Sequence, residues 1–271
     1  MTNPTRPLSS LMDLHCRVAL VTGAAGHLGG VMAEALAELG ADLVLVDLDG
    51  GRAGDLARHL ADTHGIRAIS EAADLEDETA VRALPHKAQE RLGRLDILVN
   101  NAAFVGTSGL TGWAVPFAQQ TSDTWRRALE VNLTAGFALS QESAPMLARH
   151  GKGSIVNIGS IYGVHGPDLS LYAGTGMQNP AAYAASKGGL LQLTRWLATV
   201  LAPETRVNAI CPGGVARGQP EAFVDRYVAR TPLKRMAREE DFKGAIAYLA
   251  SDLSAYVTGQ ALMVDGGWGV W

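Results

Sequence analysis

No stretch of the 271 residues is long and apolar enough to read as a membrane span, and Met1 to Leu14 lack the hydrophobic segment of a signal peptide. A cytoplasmic location without a membrane partner is therefore expected. There are only two cysteines, Cys16 and Cys211, too few for a disulfide framework and neither in a metal-ligand or CxxC spacing. That points to a reducing compartment and no metal site. Basic excess is missing too: 23 Lys and Arg against 27 Asp and Glu leave a net charge of −4 with no dense basic run, so no nucleic-acid partner is expected. Aromatics are scarce at 6%. What remains is an Ala- and Gly-rich chain, 47% hydrophobic and 18% charged, with neither the composition of disorder nor that of a fibre. A chain of this length buries about 73% of its unfolded surface, enough for one large core.

From Arg17 onward, short apolar runs alternate with longer helical patterns, the signature of a parallel sheet covered on both faces. The strand candidates are Arg17–Thr22, Asp42–Asp47, Ile66–Ser70, Leu95–Val99, Gly153–Gly159, Thr205–Ile210 and Ala261–Val264. Between the first two, Leu28, Val31, Met32, Ala35, Leu36 and Leu39 recur at helical spacing and stop at Gly40. Later helices are predicted over Leu75–Leu92, kinked or broken at Pro85, then Asp123–His150, Pro180–Leu201 and Glu239–Ala250, with Pro180 in a first helical turn. The expected architecture is α/β, a doubly wound sheet of seven parallel strands. Residues 1–15 read as a flexible leader and 16–271 as a single domain. Three long connections, Ala102–Ser122, Ile161–Asn179 and Pro212–Arg238, follow strand C-termini, where open parallel sheets bind ligands.

Thr22-Gly23-Ala24-Ala25-Gly26-His27-Leu28-Gly29 lies between the first strand and the first helix. Such a turn lets backbone approach a pyrophosphate, with free helix N–H groups to meet its charge. Its bland alternative is a tight strand-to-helix turn. Asp47 ends the second strand at about the spacing where a carboxylate accepts hydrogen bonds from a ribose diol. A negative charge there repels a ribose 2′-phosphate, the glycine loop holds no Arg or Lys, and Arg52 is farther on, so NAD is preferred over NADP. Tyr183 and Lys187 stand at i and i+4 near the start of a helix, on one face. A nearby cation favours phenolate and brings a weak acid toward proton transfer near neutral pH. Against this stands a solvated surface pair, disfavoured because Ser160 follows a strand at the same sheet edge and offers a hydroxyl to a reacting oxygen.

The ordered set Thr22–Gly29, Asp47, Asp74-Leu75, Asn100-Asn101-Ala102-Ala103, Asn132, Ser160, Tyr183–Lys187, Pro212-Gly213 and Asp265-Gly266-Gly267 resembles the short, single-domain short-chain dehydrogenases/reductases. The resemblance runs from about Arg17 to Trp271 and implies a Rossmann-like fold. It implies that Tyr183 is the catalytic acid/base, that Lys187 lowers its pKa and holds the nicotinamide ribose, and that Ser160 polarises the substrate oxygen. Asn132 would complete a water-borne proton relay to Lys187. On the cofactor side it implies Gly23, Gly26, His27, Leu28, Gly29 and Asp47, then Asp74 and Leu75 at the adenine, Asn101 and Ala102 near the central sheet, and Pro212, Gly213 and Val215 at the nicotinamide. Asn101 has the alternative of only stitching strands, and Asp265-Gly266-Gly267 that of a turn and subunit contact.

Three positions depart from the family's pattern. Its middle glycine falls at His27, whose simplest reading is a solvent-facing side chain; its glycine after Asn-Asn-Ala is Ala103; and Gly214-Val215-Ala216-Arg217 lacks the Thr often found after Pro-Gly. The interval from Ser160 to Tyr183 holds 22 residues, longer than is common in the family, with Tyr162, His165, Asp168, Tyr172, Met177, Gln178 and Asn179. Trp113 and Phe117 add aromatics from an earlier loop. Aromatic faces with hydrogen-bonding groups suit a sugar-like or polyol substrate held by Ser160, Tyr162, His165, Tyr172 and Tyr183. The alternative is that the insertion stiffens a loop or builds a subunit contact. It and the C-terminal segment also resemble a subgroup associated with sugar and cell-surface glycan modification. The leading expectation is an NAD-dependent alcohol dehydrogenase/ketoreductase, set against a 3-oxoacyl thioester reductase and a non-catalytic NAD-binding scaffold or sensor. A small-molecule substrate and a homo-oligomer, a tetramer by resemblance, complete the expected partners, and Trp268, Val270 and Trp271 offer an apolar terminus to an interface or a pocket wall.

Overall fold

Successive side chains of a strand point to opposite faces of its sheet, and in β1 (Val18–Thr22) both sets are buried. The computed structural model describes residues 5–106 and 108–271. After β1 come β2 (Asp42–Asp47), β3 (Ala68–Ala72), β4 (Ile97–Asn100), β5 (Gly153–Ile158), β6 (Thr205–Pro212) and β7 (Ala261–Val264). They form one sheet in the order β3-β2-β1-β4-β5-β6-β7 with every neighbouring pair parallel. The order reverses between β1 and β4, and such a switch opens a crevice at the strand C-termini.

Each face of the sheet has its own core. Ala19, Val21, Leu43, Leu45, Ile97 and Val99 pack with Met32 and Leu36 of α2 (His27–Glu38) and with Ile246 and Leu249 of α9 (Lys243–Ala250). Val18, Leu20, Val44, Val46 and Leu98 take the other face, against Leu84 of α4 (Glu78–Leu92), Leu139 of α6 (Ala135–Ala148) and Leu197 of α7 (Ala181–Val200). The alternation thus serves two apolar layers, as parallel sheets require.

Two expected strands, Asp42–Asp47 and Ala261–Val264, form with those bounds, while the third shifts two residues to Ala68–Ala72. Helix α4 begins only at Glu78 because the Asp77 carboxylate caps it, accepting from the N–H groups of Thr79 and Ala80. No break occurs at Pro85, which is buried inside the helix. The predicted helix Asp123–His150 is α5 (Ser122–Leu129), a π-helical turn at Glu130–Thr134, then α6. Pro180 lies just outside α7 as its N-cap residue.

Two helices of the expected domain, residues 16–271, have no counterpart in the sequence reading. The first, α3 (Gly50–His64), buries only Ala53, Ala57 and Leu60, too small a stripe to stand out, although Asp49 caps its start and Gly65 ends it in the left-handed conformation. The second, α8 (Glu221–Arg230), lies inside the long connection after β6 and buries Phe223 and Tyr227. The expected leader begins outside the described residues; its later part forms α1 (Leu8–Met12), and Leu14 is fully buried in the core. No helix among the described residues is long and apolar enough to cross a membrane.

Candidate active site

The C-terminal ends of β1, β2, β4, β5 and β6 surround one cleft of about 1080 Å³. Gly23 has φ +63, and a Cβ there would lie 2.9 Å from both Ala102 Cα and Asn101 Nδ2. A Cβ on Gly29 would overlap the Gly23 carbonyl oxygen. Only glycine at these two positions lets the loop fold back on the start of α2 and open its backbone to the cleft. Asn101 locks this arrangement: its Nδ2 donates to the carbonyl oxygens of Thr22 (2.9 Å) and Gly23 (3.1 Å), and its own N–H donates to Thr22 Oγ1 at 3.0 Å. Gly26, His27 and Leu28 line the cleft beside it, as do Ala102, Asp74 and Leu75.

Asp47 is fixed at this end. Its Oδ2 accepts from Ala25 N–H at 2.9 Å and its Oδ1 from Asp49 N–H at 3.1 Å. Arg52, set aside on sequence distance, in fact returns to the same place, because the first turn of α3 carries it back to donate to the Ala25 carbonyl at 2.8 Å. That proximity corrects the expectation that Arg52 lies away from the cofactor end.

Ser160, Tyr183 and Lys187 line the other end, near Pro212, Gly213 and Val215. Ser160 follows β5 directly and its Oγ accepts from Tyr162 N–H at 3.1 Å. Lys187 and Tyr183 lie one turn apart on α7, the Lys187 Nζ 5.8 Å from the Tyr183 ring centroid. Burial pushes the Tyr183 phenol up, with the Ser160 hydroxyl pulling it back, so the lowering expected from Lys187 does not prevail. Burial also lowers the Lys187 ammonium, to about 8. Asn132 sits in the π-helical turn outside the cleft lining. Its side chain grips the Phe104 backbone, accepting from N–H at 2.7 Å and donating to the carbonyl at 3.2 Å, and also donates to Ser186 Oγ at 3.1 Å. It therefore clamps the loop after β4 to α7 and is not turned to Lys187. A π-helical turn at such a place is common at functional sites.

The insertion divides. Tyr162, Tyr172, Met177, Gln178 and Asn179 line the cleft. The Tyr162 and Tyr172 hydroxyls are 2.7 Å apart, and Asn179 Nδ2 donates to the Tyr172 Oη at 3.3 Å. His165 does not line it; its ring packs 6.2 Å from that of Trp268, beside Gly269. Asp168 pairs instead with Arg230 of α8. Trp113 and Phe117 also miss the cleft: Trp113 is buried and donates to the Val105 carbonyl, while Phe117 is 83% exposed. Trp268 is buried against Tyr162, Tyr227 and Arg230, whereas Val270 and Trp271 are exposed. The wall formed by Phe223, Tyr227, Met236 and Arg217 was missed in the sequence, although Phe223 and Tyr227 at i and i+4 after Pro220 signal a buried helical face.

A glycine-loop crevice at one end of a switch-point cleft and a Ser, Tyr, Lys cluster at the other define a nucleotide-dependent oxidoreductase scaffold. The family model described as enoyl-(acyl carrier protein) reductase matches residues 23–269. Cis-4-hydroxycyclohexanecarboxylate dehydrogenase of Sinomonas cyclohexanicum is 38% identical over 257 residues, covering 93% of this chain and 96% of that protein. Gluconate 5-dehydrogenase from Burkholderia cenocepacia J2315, solved with NADP and tartrate, superposes with a TM-score of 0.85 at 31% identity, over 97% of this chain and 99% of that one. An NAD+-bound xylitol dehydrogenase does so at 0.83 and 29%, over 94% and 99%. The chain belongs to the short-chain dehydrogenase/reductase family. It is an NAD(P)-dependent oxidoreductase interconverting alcohol and carbonyl groups.

Proposed function

We propose that the protein is an NAD-dependent dehydrogenase of secondary alcohols on a polar, sugar-like or polyol substrate, with Tyr183 as the proton-transferring group. The observation that carries this is the opening of Ser160, Tyr183 and Lys187 into the same cleft as the glycine loop and Asp47. Bound there, the dinucleotide supplies the hydride-accepting or hydride-donating ring. Ser160 Oγ and Tyr183 Oη hold the reacting oxygen, and Tyr183 gives or takes its proton. Lys187, still mostly protonated at neutral pH, favours the phenolate and binds the ribose. Asn132 acts as a positioning residue by tying α7 to the loop after β4, and its place in a water relay to Lys187 belongs to the same proposal.

Asp47 supports NAD, its fixed carboxylate accepting from the ribose diol. Asp74 and Leu75 would meet the adenine, and Pro212, Gly213 and Val215 the nicotinamide. Arg52 at the same end is the feature that favours NADP. Tyr162 and Tyr172 support a substrate carrying a second oxygen, because one of the two phenol protons stays uncommitted when Asn179 donates into the pair. His165, behind Trp268, drops out of the substrate-contact set. A 3-oxoacyl-[acyl-carrier-protein] reductase of Thermotoga maritima, 31% identical to this chain over 261 residues, favours a second reading, 3-oxoacyl thioester reduction. Exposed Trp125, Phe137 and Trp196 on α5, α6 and α7 support a homo-oligomer, a tetramer in the same proposal, tested by sedimentation.

The deciding experiment follows nicotinamide absorbance with NAD and NADP in parallel, against sugar alcohols, aldoses, sugar acids, secondary alcohols and 3-oxoacyl thioesters. NAD-linked turnover of a polyhydroxylated compound, absent in Tyr183→Phe, is the expected result. Turnover confined to NADPH and acyl thioesters establishes the second reading instead.

A further inference from the structure

Two of the positions where this chain departs from its family's pattern, His27 and Arg217, meet at one carboxylate. Glu239 Oε1 accepts a 3.2 Å hydrogen bond from Arg217 Nε and lies 3.8 Å from His27 Nδ1. Two short distances to a single atom bring the Arg217 guanidinium up to the start of α2, where His27 is the first residue.

The backbone holds it there. Val215 and Ala237 form a parallel bridge, with Ala216 N–H donating to the Ala237 carbonyl and Ala237 N–H to that of Gly214, each at 2.9 Å. Arg217 and Glu239 each stand two residues beyond that bridge and so come side by side. Tyr227 pins the same segment from α8, its Oη accepting from Gly214 N–H at 2.6 Å.

Arg217 lines the cleft and Glu239 does not, so the carboxylate occupies the Nε side of the guanidinium from behind. Among the described residues, neither Nη nitrogen of Arg217 makes a hydrogen bond. A planar fork with its outer donors free is matched to two oxygens of a phosphate group. Beside it, α2 starts after Gly26, an N-cap residue without a side-chain cap, and a helix start of this kind leaves first-turn N–H groups without an intrahelical partner.

We propose that Arg217, braced by Glu239, binds the pyrophosphate of the dinucleotide alongside the α2 N-terminus. This rests on the cleft being a dinucleotide site, as proposed above. The chain thereby holds the pyrophosphate with backbone N–H groups and a guanidinium, and its cofactor affinity gains a charge contribution that the glycine loop, without Arg or Lys, does not supply.

Calorimetric titration of the intact protein with ADP-ribose and with NADH tests this, because ADP-ribose keeps the pyrophosphate and lacks the nicotinamide. Arg217→Ala is expected to weaken both ligands equally, by about tenfold. Arg217→Lys should recover part of the loss, and the loss should shrink as salt is raised. A loss confined to NADH would place Arg217 at the nicotinamide and overturn the proposal. Unchanged affinity for both ligands in Arg217→Ala would also overturn it, and if the loss then appeared only with carboxylate-bearing substrates, Arg217 would belong to the substrate side. Failure of the wild-type protein to bind either ligand would remove the dinucleotide reading itself, a result distinct from the others.

Discussion

Lys187 Nζ donates a 2.6 Å hydrogen bond to the Ile158 carbonyl oxygen, two residues before Ser160. One side chain thus ties the end of β5 to α7 and sets the spacing between Ser160 and Tyr183. The ammonium is buried, which lowers its pKa to about 8, within reach of ordinary assay pH.

That value sets a direction for cofactor binding. Below pH 8 the free protein already carries the proton that Lys187 needs to donate to a ribose hydroxyl, and above it binding must take up a proton. NADH affinity should therefore fall as pH rises through about 8, by up to tenfold per unit. NADH is the suitable ligand because its nicotinamide ring is neutral. In Lys187→Met the affinity should be weaker at pH 7 and flat across this range. A wild-type titration that is flat from pH 7 to 9.5 would contradict the assignment.

The tyrosine pair yields a selective prediction. With Asn179 donating to Tyr172, the pair has one hydroxyl proton left to offer the cleft. Tyr172→Phe removes the link, leaving Tyr162 without its partner. For substrates with a second oxygen near the reacting carbon, KM should rise about five- to tenfold, the worth of one hydrogen bond. For a simple secondary alcohol, KM should stay within twofold. Equal losses on both classes would mark the pair as loop structure only.

Much of this site was legible in the sequence because its signals are local. Tyr183 and Lys187 share a helix face, Gly23 and Gly29 flank one turn, and Asp47 ends a strand whose limits the apolar run defines. What stayed hidden depends on chain reversal. Arg52 is five residues beyond Asp47, yet α3 turns it back onto Ala25, and α3 itself was obscured because Ala53 and Ala57 make a weak apolar stripe. His165 was misjudged because it lies in the right loop, and only packing against Trp268 decides which way the ring faces. The hydrogen-bond partners of Asn132, Phe104 and Ser186, were invisible until α5, α6 and α7 were assembled.

Adjacent glycines of α2 separate the loop's close approach from mere helix propensity. A Cβ on Gly29 collides with the Gly23 carbonyl, whereas on Gly30 the nearest atom, the Ala24 carbonyl oxygen, is 3.5 Å away. Gly29→Ala should push the loop out, weakening NADH binding by more than tenfold and lowering Tm. Gly30→Ala should bind NADH normally and gain about 0.5–1 kcal/mol of stability from the helix. Paired fluorescence titrations and thermal unfolding of the two variants check this, and equal behaviour would refute the close-approach argument.

Asp252 gathers three cations at the base of the sheet, far in sequence from each. It accepts from Arg17 at 2.5 Å and from Arg6 and Lys152 at 2.9 Å each. Its pKa falls well below the usual carboxylate range, because these hydrogen bonds outweigh the upward push of burial. For a carboxylate lowered on folding, the stabilisation is complete above its unfolded pKa near 4 and is lost as pH drops toward the folded value. Arg17 is itself largely buried, and among the described residues its Nη1 has no partner. Asp252→Asn should therefore cost about 1–3 kcal/mol at pH 7, somewhat less than a fully buried pair because Arg6 and Lys152 are half exposed. Denaturant unfolding at pH 7 and pH 3 provides the check: the gap between variant and wild type should narrow at the lower pH. A gap that stays constant would mean that Asp252 acts through packing and not through its charge.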